Sequence, residues 1–312
     1  MLKGQFLSFL NTKKESSFTA LVLRGLAMFY LLLLVLTFVS IYLEGGSLFL
    51  AADHIFFLIV SLIVIFQRGG ALAISFSRYF ILLLSYEGMR GIADNVTPYV
   101  EYNIPLIFDK IIGGGRIPTQ IFQENLVSLV PYVDQFSVFM YTLHFLVPLF
   151  FGIFLWFKRK ECYEPYFLAF TITSYLALAT FILMPVAPPW LAAEKGMIDI
   201  KHIILESEHI PVYVSMPSIY HLFNANPVAA FPSLHFALPV LVAYFGIRAF
   251  SKKGAVLLAY PLLMGFSLIY LGEHYVFDLL GGILYAFMGI FFAKSILKMY
   301  HESEFFKLNK LI

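Results

Sequence analysis

The sequence is poor in charged residues, which make up 13% of its 312 positions, whereas 60% are hydrophobic. With a mean hydropathy of +0.84, this composition excludes an ordinary soluble domain, in which roughly a quarter of the residues are charged. The net charge of +2 is too small to indicate a nucleic-acid partner. Cys162 is the only cysteine, which excludes an internal disulfide. We therefore expect an integral membrane protein.

The sequence also lacks the alternation of apolar and polar residues that is typical of membrane β-strands, so a helical bundle is expected. Eight apolar segments approach the roughly 20 residues that a helix needs to cross a hydrocarbon layer. They cover approximately residues 20–43, 48–66, 71–85, 135–157, 166–184, 232–248, 255–271 and 275–296. The predicted fold is all-α, a polytopic membrane bundle of eight helices.

Two stretches of lower hydropathy interrupt these spans, at about residues 94–134 and 192–227. The first contains several prolines and the flexible run Gly113–Gly115, which favours an extramembrane or interfacial excursion with short amphipathic helices. The second is interpreted as a polar loop. Without internal repeats or low-complexity segments, the chain is expected to form one membrane domain.

The basic residues predict how the bundle is oriented. If the N-terminus is cytoplasmic, fourteen of the twenty-one Lys and Arg residues fall on inner segments and five on outer ones. By the positive-inside rule, both termini are then cytoplasmic. In this topology His235, His274 and Asp278 lie at the outer, non-cytoplasmic ends of their spans, as does Arg90. Glu273, beside them, is expected to be a solvated junction residue.

These polar residues have a chemistry in common. Pro232 suits the first position of a helix, so Ser233 and the next N–H groups would bind a phosphate at the helix N-terminus. His274 and Asp278 are four residues apart and share a helix face, so the carboxylate can hold one ring nitrogen while the other attacks. We expect His274 to be the nucleophile on phosphorus. His235 is expected to protonate the leaving oxygen and then to activate water or an alcohol.

Two motifs resemble the type 2 phosphatidic acid phosphatase superfamily. They are Pro-Ser-Leu-His at 232–235 and the segment Tyr270–Asp278, which is followed by Gly281-Gly282. Within it, the chain is most similar to the inositol phosphorylceramide synthase-like branch. Two further patterns resemble that branch: Pro188-Pro189-Trp190 and Tyr141-x-x-His144-x-x-x-Pro148. The resemblance covers about residues 70–298 and implies catalytic roles for His235, His274 and Asp278, with no cofactor.

The resemblance implies a six-helix core. It predicts a catalytic core at 70–298, which follows a cytoplasmic segment and two accessory transmembrane helices at 1–69. Residues 299–312 would form a cytoplasmic tail.

The motifs depart from the usual superfamily pattern at two positions. Leu234 replaces a glycine and Leu268 replaces an arginine, and both changes are tolerated in the synthase-like branch. Arg90 is assigned to the upstream basic motif, as a phosphate-binding residue in addition to Ser233, because a guanidinium binds phosphate oxygens in a bidentate way. Tyr141 and His144 are candidate pocket residues, although a single histidine in a span is also often a packing residue.

Several functions remain open at this stage. A phospholipid or lipid phosphate substrate could undergo head-group transfer, or plain phosphate release of the phosphatidic acid or polyprenyl phosphate type. A transporter could use the same residues as an ion or proton relay. Internal repeats and a site near the midplane would indicate transport, but the sequence shows no repeat and the predicted site lies at the membrane surface. Two histidines and a carboxylate are also a recognised metal-ligand set. No supporting motif such as His-Glu-x-x-His accompanies them, so no metal is predicted.

Overall fold

The computed structural model describes residues 96–208 and 226–309, with the backbone alone for 301–309, and scattered positions between 28 and 89. Those scattered positions are all helical, but the first three predicted spans otherwise lie outside the described residues. The chain divides into two compact units, Met1–Ile81 and Leu82–Ile312. The helices and the candidate site described here belong to the second unit.

Helices account for most of this unit. They are α1 (Asn103–Ile112), α2 (Pro118–Asn125), α3 (Tyr132–Lys158), α4 (Lys160–Leu183), α5 (Pro189–Glu194), α6 (Ile203–Glu206), α7 (Leu234–Phe250), α8 (Ala259–Leu271) and α9 (Val276–Asn309). Two 3₁₀ segments, Val127–Leu129 and Ser251–Leu258, complete the set. Extended pairing within the described ranges is limited to two isolated bridges. The helical fold class is thereby confirmed.

Among the described residues, three helical stretches are long and apolar enough to cross a membrane: Lys160–Leu183, Leu234–Leu271 and Val276–Tyr300. Tyr132–His144 and Leu146–Lys158 make a fourth if the pair, which is bent by 48°, forms one span. Pro148 explains the bend, because proline has no N–H to donate and its ring clashes with the carbonyl four residues earlier, at His144. The protein is therefore a helical membrane protein, and the described residues do not establish the predicted count of eight spans.

The 38-residue stretch Leu234–Leu271 is a hairpin. The turn lies at Ser251–Leu258, where Ser251 has a positive φ of 54°. A Cβ added at Gly254 would lie 2.0 Å from the Gly246 carbonyl oxygen, and one added at Gly246 would meet the Leu257 side chain at 2.3 Å. At the other end of the hairpin, the ring of Phe236 covers Gly265. Helices α7 and α8 are thus antiparallel arms, and the start of α7 lies beside the end of α8.

Helix α9 packs mainly against α4 and α7. Its Gly289 lies against the Thr173 side chain and the Ala169 carbonyl of α4, and Gly281-Gly282 lie against the segment that leads into α7. The loops meet at the same end of the bundle. Val186 pairs with both Glu101 and Ala229, so three separate segments of chain are joined just before Phe231. The start of α7 is therefore held from two sides.

Candidate active site

The two predicted catalytic histidines and the carboxylate lie in one chain of contacts. Nδ1 of His235 is 3.0 Å from Nε2 of His274. Nδ1 of His274 is in turn 3.4 Å from Oδ2 of Asp278. His274 is 4% exposed and Asp278 is fully buried, whereas His235 is partly exposed. An outside molecule can therefore reach this chain of contacts from the His235 side.

A tight turn presents His274 between α8 and α9. Gly272 ends α8 in the left-handed conformation, with φ of 79°, which favours glycine. The N–H groups of Glu273 and His274 both return to the carbonyl of Leu268. Oδ2 of Asp278 accepts the Tyr275 N–H at 2.9 Å, in addition to its contact with the His274 ring. The carboxylate therefore fixes both the backbone of the turn and the orientation of the imidazole.

Helix α7 begins at Leu234 and not at Pro232, because Ser233 is its N-cap. The hydroxyl of Ser233 accepts the Phe236 N–H at 3.3 Å, and its side chain is fully buried. Helix geometry then leaves the N–H groups of Leu234 and His235 without an acceptor inside the helix. These two groups, more than Ser233 itself, have the geometry of a helix N-terminal phosphate site.

Backbone contacts join the start of α7 to α9. The Ser233 N–H donates to the carbonyl of Asp278 at 3.1 Å. A Cβ added at Gly282 would lie 2.6 Å from the Ser233 carbonyl oxygen and 3.3 Å from the Ala237 nitrogen. The absence of a side chain at this position therefore allows the two catalytic motifs to approach each other.

Helix α3 supplies a wall of the site. The rings of Tyr141 and His144 have their centroids 5.0 and 4.3 Å from that of His235. Nδ1 of His144 is 2.6 Å from the Tyr141 carbonyl, so this nitrogen is the one that carries the proton. Both predicted pocket residues therefore contact His235. Arg90, the predicted upstream phosphate ligand, lies outside the described residues.

Asp109 is a site neighbour that the sequence analysis missed. It is fully buried, and its carboxylate accepts the N–H groups of Val276 and Phe277 at 2.9 and 3.1 Å. Asp109 thus caps α9 from a different helix. Burial, and secondarily the nearby charge of Asp278, raises the pKa of Asp109 to about 6, although the two hydrogen bonds oppose this shift. The sequence did contain a signal for this role, because Asp109 is the only acidic residue in the mostly apolar helix α1.

We expect Asp109→Asn to flatten the pH dependence of stability. Between about pH 4 and pH 6 folded Asp109 keeps a proton that the unfolded chain has lost, so the contribution of Asp109 to wild-type stability falls as pH rises. A shift of about two pKa units corresponds to roughly 3 kcal/mol, reached in full above pH 6. The stability difference between wild type and Asp109→Asn is measured by thermal unfolding in detergent between pH 4 and pH 6. Asp199→Asn, in the exposed 195–199 loop, is the control. Parallel pH profiles for wild type and Asp109→Asn would contradict the assignment.

A second histidine–carboxylate pair lies beside the turn. Nε2 of His202 is 2.8 Å from Oε1 of Glu273, and each residue is 6% exposed. The indole of Trp190 stacks on the His202 ring, with centroids 4.9 Å apart and planes 5° apart. The prediction of a solvated Glu273 is therefore wrong, because the segment that contains Trp190 and His202 covers the turn.

No group of three His, Cys, Asp or Glu side chains among the described residues is arranged to hold a metal ion. The candidate site is thus composed of histidine and carboxylate side chains at one end of a bundle of apolar helices. This arrangement defines the class: an integral membrane protein with a His–His–Asp centre that is buried at His274 and Asp278 and partly exposed at His235.

The family follows from comparison with known proteins. The PAP2 superfamily matches residues 117–292, a range that includes His235, His274 and Asp278. The chain therefore belongs to the PAP2 superfamily.

A phosphoinositol dihydroceramide synthase from Bacteroides thetaiotaomicron is 30% identical to this chain over 183 residues. The alignment covers 55% of this chain and 60% of the relative, so the chain spans less than two thirds of that protein's length. No solved structure matches the chain. Together, the family and this relative confirm the superfamily and the synthase-like branch that the motifs predicted.

Proposed function

We propose that the protein is a membrane phosphotransferase that moves a phosphorylated head group from a phospholipid to a lipid alcohol through a phosphohistidine on His274. The observation that carries this proposal is the chain of contacts from His235 through His274 to Asp278, at 3.0 and 3.4 Å. The name of the 30% identical relative suggests the group and the acceptor: phosphoinositol and a dihydroceramide. The donor would then be an inositol phospholipid.

The first half-reaction uses the tautomer that Asp278 imposes. With the carboxylate accepting the Nδ1–H of His274, the lone pair is on Nε2. Nε2 attacks phosphorus, and the bond from phosphorus to the diacylglycerol oxygen breaks. That oxygen takes its proton from His235, which leaves neutral diacylglycerol and a phosphoinositol group bound to His274.

The second half-reaction reverses these roles. His235, now without its proton, accepts the proton of the incoming hydroxyl, whose oxygen attacks phosphorus. The bond from phosphorus to Nε2 of His274 breaks, and the imidazole returns to its starting state. A lipid alcohol gives transfer, whereas water gives hydrolysis.

In the structure, the nucleophilic nitrogen of His274 is in contact with the ring of His235. Because Nε2 of His274 has the lone pair, His235 donates its Nδ1–H across the 3.0 Å contact. Phosphorus must replace this contact, so the His235 ring has to move away from His274 when the donor binds. The rings of Tyr141 and His144 also contact His235 and can orient its displaced ring.

The orientation of the bundle belongs to the same proposal. Both termini are in the cytoplasm and the site opens on the opposite face, which the distribution of fourteen inner and five outer basic residues supports. The catalytic core extends over residues 70–298, and Arg90 binds phosphate oxygens of the donor. The PAP2 family match favours this enzyme over the transporter alternative.

Reconstitution with labelled lipids tests the reaction. Purified protein in vesicles containing inositol phospholipid and labelled dihydroceramide is expected to form an inositol-containing sphingolipid and to release diacylglycerol in equal amounts. Both products should require both lipids. Vesicles containing phosphatidic acid alone provide the comparison: release of inorganic phosphate there, without any new head-group lipid from the first mixture, would identify a phosphatase and overturn the transferase.

A further inference from the structure

The buried pair of His202 and Glu273 has no role in the two half-reactions, yet it lies next to the nucleophile. Glu273 immediately precedes His274 in the turn, and its carboxylate contacts the ring of His202. Both side chains are nearly inaccessible to water. A buried carboxylate is stabilised by each hydrogen bond that it accepts, so removing His202 would weaken the contacts that keep Glu273 inside the protein and would let the turn shift.

The segment that carries His202 touches the turn at a second point. The N–H of Trp190 donates to the Gly272 carbonyl at 3.0 Å, while its indole stacks on the His202 ring. The turn is therefore held through the backbone at Gly272 and through the side chain at Glu273. The two residues that precede His274 are both fixed from the same side.

His202 is in turn held by the rest of the bundle. Nε2 of Gln123 in α2 donates to the carbonyls of Lys201 and Tyr270, both at 2.9 Å. Oε1 of Gln123 accepts the Lys201 N–H, also at 2.9 Å. One amide thus joins the residue before His202 to the end of α8. The histidine is a fixed point relative to the turn and not part of a loose loop.

We propose that His202 is a positioning residue for the nucleophile: acting through Glu273, it holds the turn so that His274 faces His235 with one nitrogen and Asp278 with the other. The inference rests on the proposed function, because it assigns a task in phosphoryl transfer to a residue outside the reacting groups. Catalysis by an oriented nucleophile is sensitive to displacements of about 1 Å, which can reduce the rate by about 10²-fold.

Replacement of His202 tests this role. His202→Ala is expected to lower kcat by about 10-fold to 100-fold while KM changes little, because the substrate-binding groups stay in place. His202→Gln should recover a large part of kcat, because its amide N–H can still donate to Glu273. The double variant His202→Ala with Glu273→Ala should lose much less than the product of the two single losses. Glu194→Gln, on the exposed side of the same segment, is the matched control.

The measurement is donor cleavage per folded protein, with folded protein determined from the unfolding transition of each variant. An unchanged kcat for folded His202→Ala, or no recovery in His202→Gln, would overturn the positioning role. Cleavage is followed with inositol phospholipid and with phosphatidic acid in parallel. Absence of a transfer product from wild type counts against the proposed function, whereas the ratio of cleavage rates between wild type and His202→Ala tests the inference on either substrate.

Discussion

His274→Ala is expected to reduce turnover of the donor lipid by at least about 10³-fold, because it removes the atom that forms the covalent intermediate. A loss of that size corresponds to roughly 4 kcal/mol of activation free energy. The measurement is release of diacylglycerol from labelled inositol phospholipid. Denaturing the enzyme during turnover should trap an acid-labile label on wild type and none on the variant.

The control for this experiment is another histidine on the adjoining helix. His301 lies near the far end of α9, about 25 residues from its start, which is roughly 37 Å of helix. His301→Ala should therefore keep wild-type turnover and the trapped label. Turnover near the wild-type rate in His274→Ala would refute the phosphohistidine mechanism, and a trapped label in that variant would indicate another nucleophile.

Local sequence spacing predicted half of the site. His274 and Asp278 are four residues apart. His274 lies in the turn before α9 and not on the shared helix face that was predicted, but Asp278 in the first turn of α9 still reaches its ring. The meeting of His235 with His274 required the topology as well, because 39 residues separate them. The charge distribution placed both at the same end of the bundle, and the hairpin of α7 and α8 has the geometry that this prediction required.

The supporting contacts could not be predicted in this way. Asp109 is 167 residues from Val276, and His202 is 71 residues from Glu273. No periodicity connects positions so far apart, since their contact depends on how the 96–134 and 192–208 segments fold over the end of the bundle. Glu273 illustrates the resulting error: a carboxylate at a span junction is usually solvated, but here the Trp190 segment buries it.

The fold shows the same division between local and long-range information. The last three predicted spans, 232–248, 255–271 and 275–296, agree with α7, α8 and α9 to within a few residues at most ends, because each is a long apolar run that ends at a turn. The sequence shows Pro148, but the 48° bend of α3 depends on how the backbone rearranges around the hydrogen bond that proline cannot make. The pairing of Val186 with Glu101 and Ala229 involves isolated bridges, which leave no strand pattern.

Gly282→Ala is expected to cause the second large loss, through separation of the two catalytic motifs. The added Cβ would lie 2.6 Å from the Ser233 carbonyl oxygen, a backbone atom that cannot rotate away. Alanine would favour the helix by about 1 kcal/mol, but overpacking typically costs about 1–3 kcal/mol, and here the clash is with main chain. Helices α7 and α9 must therefore move apart, which should lower turnover by about 10²-fold.

The neighbouring glycine provides the matched control, because Gly281 lies against the ring of Phe231 and not against backbone. A ring can tilt, so Gly281→Ala should lose less turnover and less thermal stability than Gly282→Ala. Normal activity in Gly282→Ala would mean that α7 and α9 can separate without disturbing the His235–His274 contact. The site would then not depend on close helix packing. The expected result instead makes a glycine outside the reacting groups necessary for catalysis, since it sets the distance between the nucleophile and its acid.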